Sequence, residues 1–545
     1  MSEAVRSYTN SAGTTFRRRR KGSLRRLLLF VLVVIIAGGW WVVRDTHPLW
    51  SVIPAEHKAG IVLPDVNTQR TDLADAAFWP LLPAAWGLED IPDQLRSDFG
   101  LPPWVLNNLI GDISYLYAND LESLSDPCFI TRMSPFGTLM ERLSRLARVT
   151  ASDPAGGLNL REVPDAGLHY AVRGRLFIAS PSREALIRAL TLPAETTWSR
   201  EEFRAAVEAS RGVDLRVAVR FDDGDALAEY LERGEVSMRI QPRSIDIAAR
   251  VMPSGEVATR LQPLRRTSNG DRPLIAPPPG MLEVAGNFGQ RFDDTVTALA
   301  DVAGLDTPNA RTWAAWAEAE HGEGDLEGLP DFPRMIARLL GPAGPAFALS
   351  ITDVDPGEVI PVPIIEAALE AGEVDPAAWF DALEPAVSEI DGWERVPQRD
   401  EERELVFCRT IGGDSLTPAV KRMGERLFVS TNLAHAQAAA DAGGPIGPQL
   451  EQTGNLFVRV HPAACVDALD ALAQQLVMVD GLRGHDAASW NALVDAWRGY
   501  LEPIQDATLL AALEADAIAA RVRIEFEPAA PEPAPTGDPV TESVK

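Results

Sequence analysis

The feature that most constrains the fold of this chain is an ordered internal repeat. Four segments of the first half recur in the same order in the second half, at offsets between 233 and 271 residues. The matched ranges are 113–120 with 346–353, 174–181 with 425–432, 215–221 with 456–460, and 247–251 with 518–522. Recurrence of a whole supersecondary pattern is typical of a duplicated unit. We therefore predict two related halves.

The periodicity of the repeated segments indicates their local structure. Leu215, Val217 and Val219 alternate with other residues, which predicts a strand with one apolar side. Other segments have helical periodicity, near 183–190, 290–303, 363–372, 434–442, 463–478 and 486–500. The sequence therefore predicts an α+β fold, with mainly antiparallel sheets and packed helices in both halves.

Polar residues before the helical segments predict helix caps. Ser180 or Thr431 is expected to cap the helix that follows the second repeated segment. Ser199 and Glu202 have the spacing of a capping box, in which each side chain accepts a hydrogen bond from the other residue's backbone N–H.

The N-terminus carries a basic cluster followed by an apolar run, residues 27–43. Seventeen helical residues rise about 25 Å, close to the thickness of a bilayer core. Basic residues stay on the cytoplasmic side, so the pattern predicts a single-pass signal-anchor helix in a bacterial inner membrane and a periplasmic body. The alternative is a cleaved signal peptide, for which 37–39 is the small-residue site.

These features predict six segments along the chain. They are a basic cytoplasmic tail (1–26), a transmembrane helix (27–43), a first α+β repeat (44–263), a proline-rich linker (264–280), a second α+β repeat (281–527) and a disordered tail (528–545).

Net charge argues against one class of partner. The chain has a formal net charge of −27, and residues 1–26 hold eight Lys or Arg against a single acidic residue. The body beyond them is therefore more acidic still, and it lacks a basic stripe with interleaved aromatic residues. Such a surface repels phosphate backbones, so no nucleic-acid partner is expected.

Few motifs point to catalysis or to a cofactor. His461 and Cys465 are four residues apart, which could begin a two-ligand metal site, although Pro462 places His461 outside the helix. The segment 412–416 resembles a nucleophile elbow without its second glycine, and 353–358 resembles a calcium loop without its closing glutamate. We expect turns at both places and predict no catalytic, cofactor-binding or metal-binding residue.

Three further groups of residues leave alternatives open. Asp120 and Asp353 are the only acidic residues in matched repeat positions, and they are the candidates for a hydrolase site of dispersed carboxylates. Trp79, Trp86 and Trp104 could line a groove but are more typical of core packing. The cysteines Cys128, Cys408 and Cys465 are isolated and odd in number, so inert thiols are favoured over a disulfide framework.

Several segments resemble the YfaA-like proteins, an uncharacterised family of bacterial envelope proteins. They are residues 60–65, the following stretch 73–82, and the related strands 175–179 and 426–430. The resemblance would span most of residues 58–527. It implies an anchored periplasmic protein without established catalytic residues. It also implies, by gene association alone, a macroglobulin-like envelope partner.

The expected function is therefore that of a non-catalytic envelope protein, which binds another protein or the cell wall, with the lipid bilayer contacted through 27–43. Whether it is an enzyme is left open, leaning towards no. The alternatives are a periplasmic hydrolase and a small-ligand receptor with a pocket between the two halves.

Overall fold

The structure is a computed structural model, and its description covers part of the chain. The described residues are 8–9, 15–16, 47–65, 108, 110–119, 126–146, 151–155, 158–163, 167–222, 225, 227–267, 273–291, 294–295, 298, 343–355, 362–370, 375, 381, 394–397, 405–409, 417–423, 426–441, 449–478 and 487–527. A two-stranded pair, β1 (Tyr8–Thr9) and β2 (Thr15–Phe16), lies near the N-terminus.

The described residues of the first half form ten strands that belong to one large sheet. They are β3 (Ala59–Pro64), β4 (Ile113–Ala118), β5 (Cys128–Arg132), β6 (Ala151–Ala155), β7 (Leu158–Val163), β8 (Leu168–Arg173), β9 (Leu176–Ser180), β10 (Leu215–Arg220), β11 (Leu231–Gln241) and β12 (Ser244–Pro253). Its helices are α1 (Pro135–Leu146), α2 (Arg183–Thr191), α3 (Arg200–Ala209), α4 (Gly255–Arg260) and α5 (Gln262–Thr267).

In the second half, ten strands of the described segments belong to the same sheet. They are β14 (Leu282–Asn287), β15 (Ala346–Asp355), β16 (Val362–Glu370), β17 (Glu394–Pro397), β18 (Leu405–Arg409), β19 (Ala419–Met423), β20 (Arg426–Ser430), β22 (Leu456–Val460), β23 (Ile504–Leu513) and β24 (Ile518–Phe526). The strands β13 (Pro273–Ile275) and β21 (Gln449–Thr453) form a separate pair. The helices are α6 (Leu433–Asp441), α7 (Pro462–Met478) and α8 (Ala487–Leu501).

Strand order is the same in both halves. The first runs β12–β11–β10–β3–β4–β5–β9–β8–β7–β6, and the second runs β24–β23–β22–β14–β15–β16–β20–β19–β18–β17. All of these pairings are antiparallel. The four sequence matches fall on β4 and β15, β9 and β20, β10 and β22, and β12 and β24, which occupy equivalent places. The domain boundaries drawn from the sequence remain predictions.

The two halves join through β12 and β24. The pentapeptide Ile-Ala-Ala-Arg-Val occurs in both strands, and its two copies pair antiparallel with Ala249 opposite Ala520. Ala248 lies opposite Arg521 and Arg250 lies opposite Ala519, so each arginine faces a small side chain. This ladder makes the twenty strands one sheet, because it satisfies the backbone groups of two strands that would otherwise be edges.

The outer edges of the sheet are β6 and β17. Both contain a proline, Pro154 and Pro397. Proline has no backbone N–H to offer a further strand, so both edges resist additional pairing.

The predicted α+β class with packed helices is wrong. The described chain is dominated by the antiparallel sheet, and the helices cover only parts of it. One segment shows the reason. Residues 363–372 have the Ala, Glu and Leu composition of a helix, yet Val362–Glu370 is strand β16 between β15 and β20. Pairing on both edges overrides the weak helical propensity of single residues.

The predicted membrane anchor is also corrected. In the part of the chain that the structure describes, no helix combines the length and apolar character needed to cross a bilayer. The transmembrane and signal-anchor assignment is therefore withdrawn, and with it the inner-membrane localisation and the bilayer contact. Residues 27–43 themselves lie outside the described residues.

The helix predictions had mixed outcomes. Helices α7 and α8 confirm the predicted segments 463–478 and 486–500. The capping box at α3 is confirmed, because Ser199 accepts from the Glu202 N–H and Glu202 accepts from the Ser199 N–H. The predicted helix 290–303 falls mainly outside the described residues.

The helix caps after the second repeated segment lie later in the chain than predicted, by two residues in the first half and by one residue in the second. Ser182 caps α2, and Asn432 accepts from the N–H groups of Ala434 and His435 at α6. Ser180 and Ser430 each accept a hydrogen bond from the N–H of these cap residues. Ser180 and Ser430 therefore occupy equivalent positions in the two halves, whereas the sequence match had aligned Ser180 with Thr431.

The main core of the first half lies between the sheet and helices α2 and α3. Ile130, Leu176 and Ile178 of the strands pack with Leu186 of α2 and Phe203 of α3. In the second half, Ala285, Ala348 and Phe457 pack against the β13–β21 pair through Leu274 and Ile275. These two clusters lie on one side of the sheet.

The six central strands are β10, β11, β12, β24, β23 and β22. Their opposite side is apolar, and we call it the apolar face. It consists of Leu215, Val217, Val219, Gly234, Val236, Met238, Ile240, Ile245, Ile247, Ala249, Val251, Ile518, Ala520, Val522, Ile524, Ala507, Leu509, Ala511, Leu513, Leu456, Val458 and Val460. Leu513 is buried, Val236 is exposed, and the others are half-buried. The alternate residues on the reverse side include ion pairs such as Arg216 with Glu235 and Arg250 with Asp516.

A half-buried histidine packs against core aromatic residues of the first half, Tyr115 and Tyr117. His57 Nδ1 is 2.7 Å from the Pro54 carbonyl oxygen, and His57 Nε2 is 2.6 Å from the Tyr115 hydroxyl. A carbonyl can only accept, so Nδ1 carries the proton and Nε2 accepts from Tyr115. Gly60 is required beneath this pair, because a Cβ there would overlap the Tyr115 hydroxyl.

Burial makes this histidine a source of pH-dependent stability. It holds the pKa of His57 below its ordinary value of 6.5, although the Pro54 hydrogen bond opposes the shift. Below pH 6.5 the unfolded chain therefore binds more protons than the folded chain. We expect the stabilisation to be complete above pH 6.5 and to fall as the pH drops towards the folded-state pKa.

Urea denaturation at several pH values checks this prediction by comparing the protein with a His57→Gln variant. The free energy of unfolding of the parent protein should fall more steeply than that of the variant between pH 6.5 and pH 5. Identical slopes would show that His57 does not contribute.

Candidate functional site

Five polar residues lie side by side across the second half of the sheet. Arg459 pairs with Glu283, Glu283 with Ser350, Ser350 with Glu366, and Glu366 with Ser430. We call this row the polar rung. Four of its members are almost fully enclosed, with exposures of 6% for Glu283, 0% for Ser350, 7% for Glu366 and 0% for Ser430. Buried carboxylates are costly unless they are paired, so their partners decide what the rung can do.

The alternation of the strands sets the direction of these side chains. Glu283 lies on the same side of β14 as Ala285, and Glu366 lies on the same side of β16 as Ala368. Ala285 and Ala348 belong to the buried cluster of the second half. The rung therefore lies on the core side of the sheet, opposite to the apolar face.

One end of the rung is an ion-pair network. Arg459 binds Asp506 with two nitrogens, at 3.1 and 2.8 Å, and its third nitrogen is 4.0 Å from Glu283. His461 Nδ1 is 2.7 Å from Asp506, and His461 Nε2 is 3.8 Å from Glu283. Glu283 also accepts from the Gly280 N–H at 3.2 Å. The hydrogen bonds to Asp506 hold the pKa of Arg459 above its ordinary value.

The other end of the rung contacts helix α6. His435 Nδ1 is 3.1 Å from Glu366 Oε1. His435 lies in the first turn of α6, and its N–H donates to the Asn432 cap. Asn432 in turn donates its N–H to Ser430 at the end of the rung. Each buried glutamate therefore has one histidine beside it, and each histidine comes from the start of a helix.

Ser350 lies between the two glutamates. Its hydroxyl is buried and has no hydrogen-bond partner among the described residues. Such a group loses its hydration without compensation, which costs about 1–3 kcal/mol.

The equivalent row of the first half is uncharged. Gly60 pairs with Tyr117, and Tyr117 pairs with Cys128. The Cys128 thiol is hydrogen-bonded to Tyr117 and Ser180, and burial raises the pKa values of both Cys128 and Tyr117. The two halves therefore share a polar row at one position of the fold, but only the second half carries charge there.

The chemistry of the polar rung is that of a closed ionic network. A nucleophile must reach its substrate, but Ser350 is fully enclosed. The more accessible groups are the imidazoles of His435 and His461, whose side chains are 41% and 31% exposed. Both are already engaged by carboxylates. This geometry favours a structural role over acid–base catalysis.

The structure places the predicted candidates as follows. Asp353 is exposed on β15 and accepts from the Val354 N–H, while Asp120 lies outside the described residues. His461 belongs to the ionic network, but the Cys465 thiol donates to the Met281 carbonyl at 3.4 Å. No cluster of potential metal ligands is found among the described residues.

The remaining candidates are only partly described. Cys128 and Cys465 are free thiols, and burial raises the pKa of both. Cys408 lies in β18, but its side chain is not described. The segment 412–416, residues 356–358 of the calcium-like segment, and Trp79, Trp86 and Trp104 lie outside the described residues.

The polar rung was not predicted from the sequence. Glu283 and Glu366 each interrupt a run of apolar residues, in Leu-Glu-Val-Ala and in Ile-Ile-Glu-Ala-Ala. A glutamate at an inward position of a strand was the available signal, since such a group needs a partner. His435 carried no signal of its own, because its partner is 69 residues away in the chain.

Comparisons with known proteins add little. No family model and no curated protein matches the chain. Among solved structures, crystal form III of TP0453 is 8% identical, with a TM-score of 0.24, over 39% of this chain and 82% of that one. Crystal form I of TP0453 is 7% identical, with a TM-score of 0.25, over 39% and 81%. The resemblance to YfaA-like proteins stays a prediction.

The two enclosed serines of the rung provide a matched test. Ser350→Ala removes a hydroxyl without a described partner, so we expect the free energy of unfolding to stay level or to rise by about 1 kcal/mol. Ser430→Ala removes the acceptor of the Asn432 N–H and should lower the free energy of unfolding by about 1 kcal/mol. Urea denaturation measures both. A clear loss on Ser350→Ala would mean that its hydroxyl is satisfied.

Arg459 tests the ionic network. Arg459→Ala leaves two buried carboxylates without their cation, and we expect a loss of about 1–3 kcal/mol, reduced by the 37% exposure of its side chain. Arg250→Ala is the control, because its partners Glu514 and Asp516 are exposed and the expected loss is below about 1 kcal/mol. Equal losses in urea denaturation would contradict the proposed importance of the network.

Proposed function

We propose that this protein is a non-catalytic binding protein that takes up a protein partner on the apolar face of its sheet. The observation that carries the proposal is the contrast between the two sides of the central strands. Arg216 pairs with Glu235 and Arg250 pairs with Asp516 on one side, and these charged groups suit contact with water. The other side of the six central strands is aliphatic along the paired register, and its one charged residue, Glu232, lies at the bulge where β11 begins.

The size of this face supports binding. Six strands about 4.8 Å apart, with alternate side chains about 6.8 Å apart along each strand, give a footprint of roughly 24 by 20 Å. Apolar patches of several hundred Å² on a protein surface are typical of interaction sites. Val236, near the middle of the first-half strands of this face, is 36% exposed.

The described polar chemistry supports the same proposal. Four of the five rung residues are enclosed, and the charged ones are paired: Arg459 with Asp506 and Glu283, and Glu366 with His435. The halves meet through the β12–β24 ladder, which offers a continuous sheet surface at this junction. This geometry favours binding on a face over the receptor alternative, in which a pocket between halves holds a small ligand.

Site-specific photocrosslinking in the native cells tests the proposal. A photoreactive benzoyl group on residue 236 would lie on the apolar face, whereas the same group on residue 237 would lie on the opposite side of β11. We expect one discrete protein adduct from position 236 and none from position 237. The absence of an adduct at 236, or the same adduct from both positions, would overturn the proposal.

A further inference from the structure

One corner of the apolar face already holds an amphipathic helical segment of this chain. Val257, Leu261 and Leu264 of the α4–α5 segment are buried with Leu513 of the sheet. Leu456 and Ile518 pack against the same cluster. The three helical-segment residues have the i, i+4, i+7 spacing of one apolar side. The segment follows β12 directly, so the first half supplies the cover for a corner of the second.

The first half has an equivalent corner. Leu513 and Ile518 pair across the hairpin of β23 and β24, and Ile240 and Ile245 pair across the hairpin of β11 and β12. Leu456 begins β22, and Leu215 begins the equivalent strand β10. We call Leu215, Ile240 and Ile245 the open corner. The burial of the two corners differs at one pair of equivalent positions, where Ile240 is half-buried and Leu513 is buried, whereas Leu215, Ile245, Leu456 and Ile518 are all half-buried.

We propose that the open corner binds a basic amphipathic α-helix of a partner protein, with aliphatic residues at positions i, i+4 and i+7. This inference rests on the proposed function and specifies the chemistry of the partner. The occupied corner provides the precedent, since the same arrangement of three aliphatic side chains there receives Val257, Leu261 and Leu264.

The backbone of the open corner favours a helix over an added strand. Strand β11 pairs with β10 and β12, and β12 pairs with β11 and β24. Both edges of these strands are therefore used, and a partner can reach the corner only through side chains. A helix can present three aliphatic side chains in this way without adding to the sheet.

Charge favours a basic helix. The chain carries a net charge of −27, whereas the segment 254–267 contains three arginines and one glutamate. The helical segment that covers the occupied corner is thus basic on an acidic protein. The same charge disfavours a second copy of this chain as the occupant, because two strongly acidic surfaces repel each other.

A synthetic peptide with the sequence of residues 254–267 is the probe. Labelled with fluorescein, it is titrated with the full chain while fluorescence anisotropy is followed. We expect saturable binding to one site, weakened about tenfold or more by Ile245→Asp and less by Ile240→Ala. Arg239→Ala, on the opposite side of β11, should leave binding unchanged. A Leu261→Asp peptide should not bind.

Two results would overturn the inference. One is the absence of saturable binding. The other is binding that neither Ile245→Asp nor Ile240→Ala weakens, provided that circular dichroism shows both variants to be folded. Ile240→Ala keeps the inference testable if the aspartate variant does not fold.

Competition separates this inference from the proposed function. The photocrosslink from position 236 is repeated with excess peptide. Loss of the adduct supports both proposals. If the adduct persists and the protein does not bind the peptide, the inference of a basic amphipathic helix is overturned and the proposed function stands. Peptide binding without any adduct overturns the proposed function alone.

Discussion

The pairing of β12 with β24 is the interaction on which the rest of the structure depends. Two copies of Ile-Ala-Ala-Arg-Val meet antiparallel, and the small alanines give each arginine room on the opposite strand. Antiparallel pairing of one sequence with itself is self-complementary, as at the interface of a two-fold dimer. In this chain both copies belong to one polypeptide, so the contact is intramolecular.

This junction sets the character of the two sides of the sheet. Because side chains alternate along each strand, one register across six strands places the residues of the apolar face on one side. A shift of a single residue at β12 and β24 would turn Val251 and Val522 away from the apolar face and put Arg250 and Arg521 on it. The ladder therefore determines the apolar face as well as the connection of the halves.

The two halves have diverged at equivalent positions. The polar rung carries two glutamates in the second half, whereas the corresponding row contains Gly60, Tyr117 and Cys128 in the first. One corner of the apolar face holds α4 and α5, while its counterpart has half-buried aliphatic residues. These differences separate the shared scaffold from the features that one half alone possesses.

The parts of the fold that depend on local patterns could be predicted from the sequence. The capping box at Ser199 and helices α7 and α8 follow from residues that are neighbours in the chain. The strand identity of Val362–Glu370 did not, because β15 and β20 determine it across the sheet. The structural equivalence of Ser180 with Ser430, and not with Thr431, could not be predicted for the same reason, since strand pairing and not sequence similarity sets the register.

The candidate site was harder to predict than the fold. Glu283 and Arg459 are far apart in the chain and meet only through the pairing of β14 with β22. A sequence shows that a glutamate occupies an inward position, but it does not show which cation is opposite. The open corner could not be predicted from the sequence either, because it is recognised only by comparison with the equivalent corner that α4 and α5 cover.

The most direct test of this account is the distance between spin labels on residues 248 and 521. Ala248→Cys and Arg521→Cys would be combined in a chain whose three native cysteines are replaced by alanine. Both positions are exposed and lie directly opposite each other in the β12–β24 ladder. Paired residues have Cα atoms about 5 Å apart, so strong dipolar broadening is expected in the doubly labelled protein. Spectra identical to the sum of the two singly labelled proteins would contradict a sheet that is continuous through this ladder.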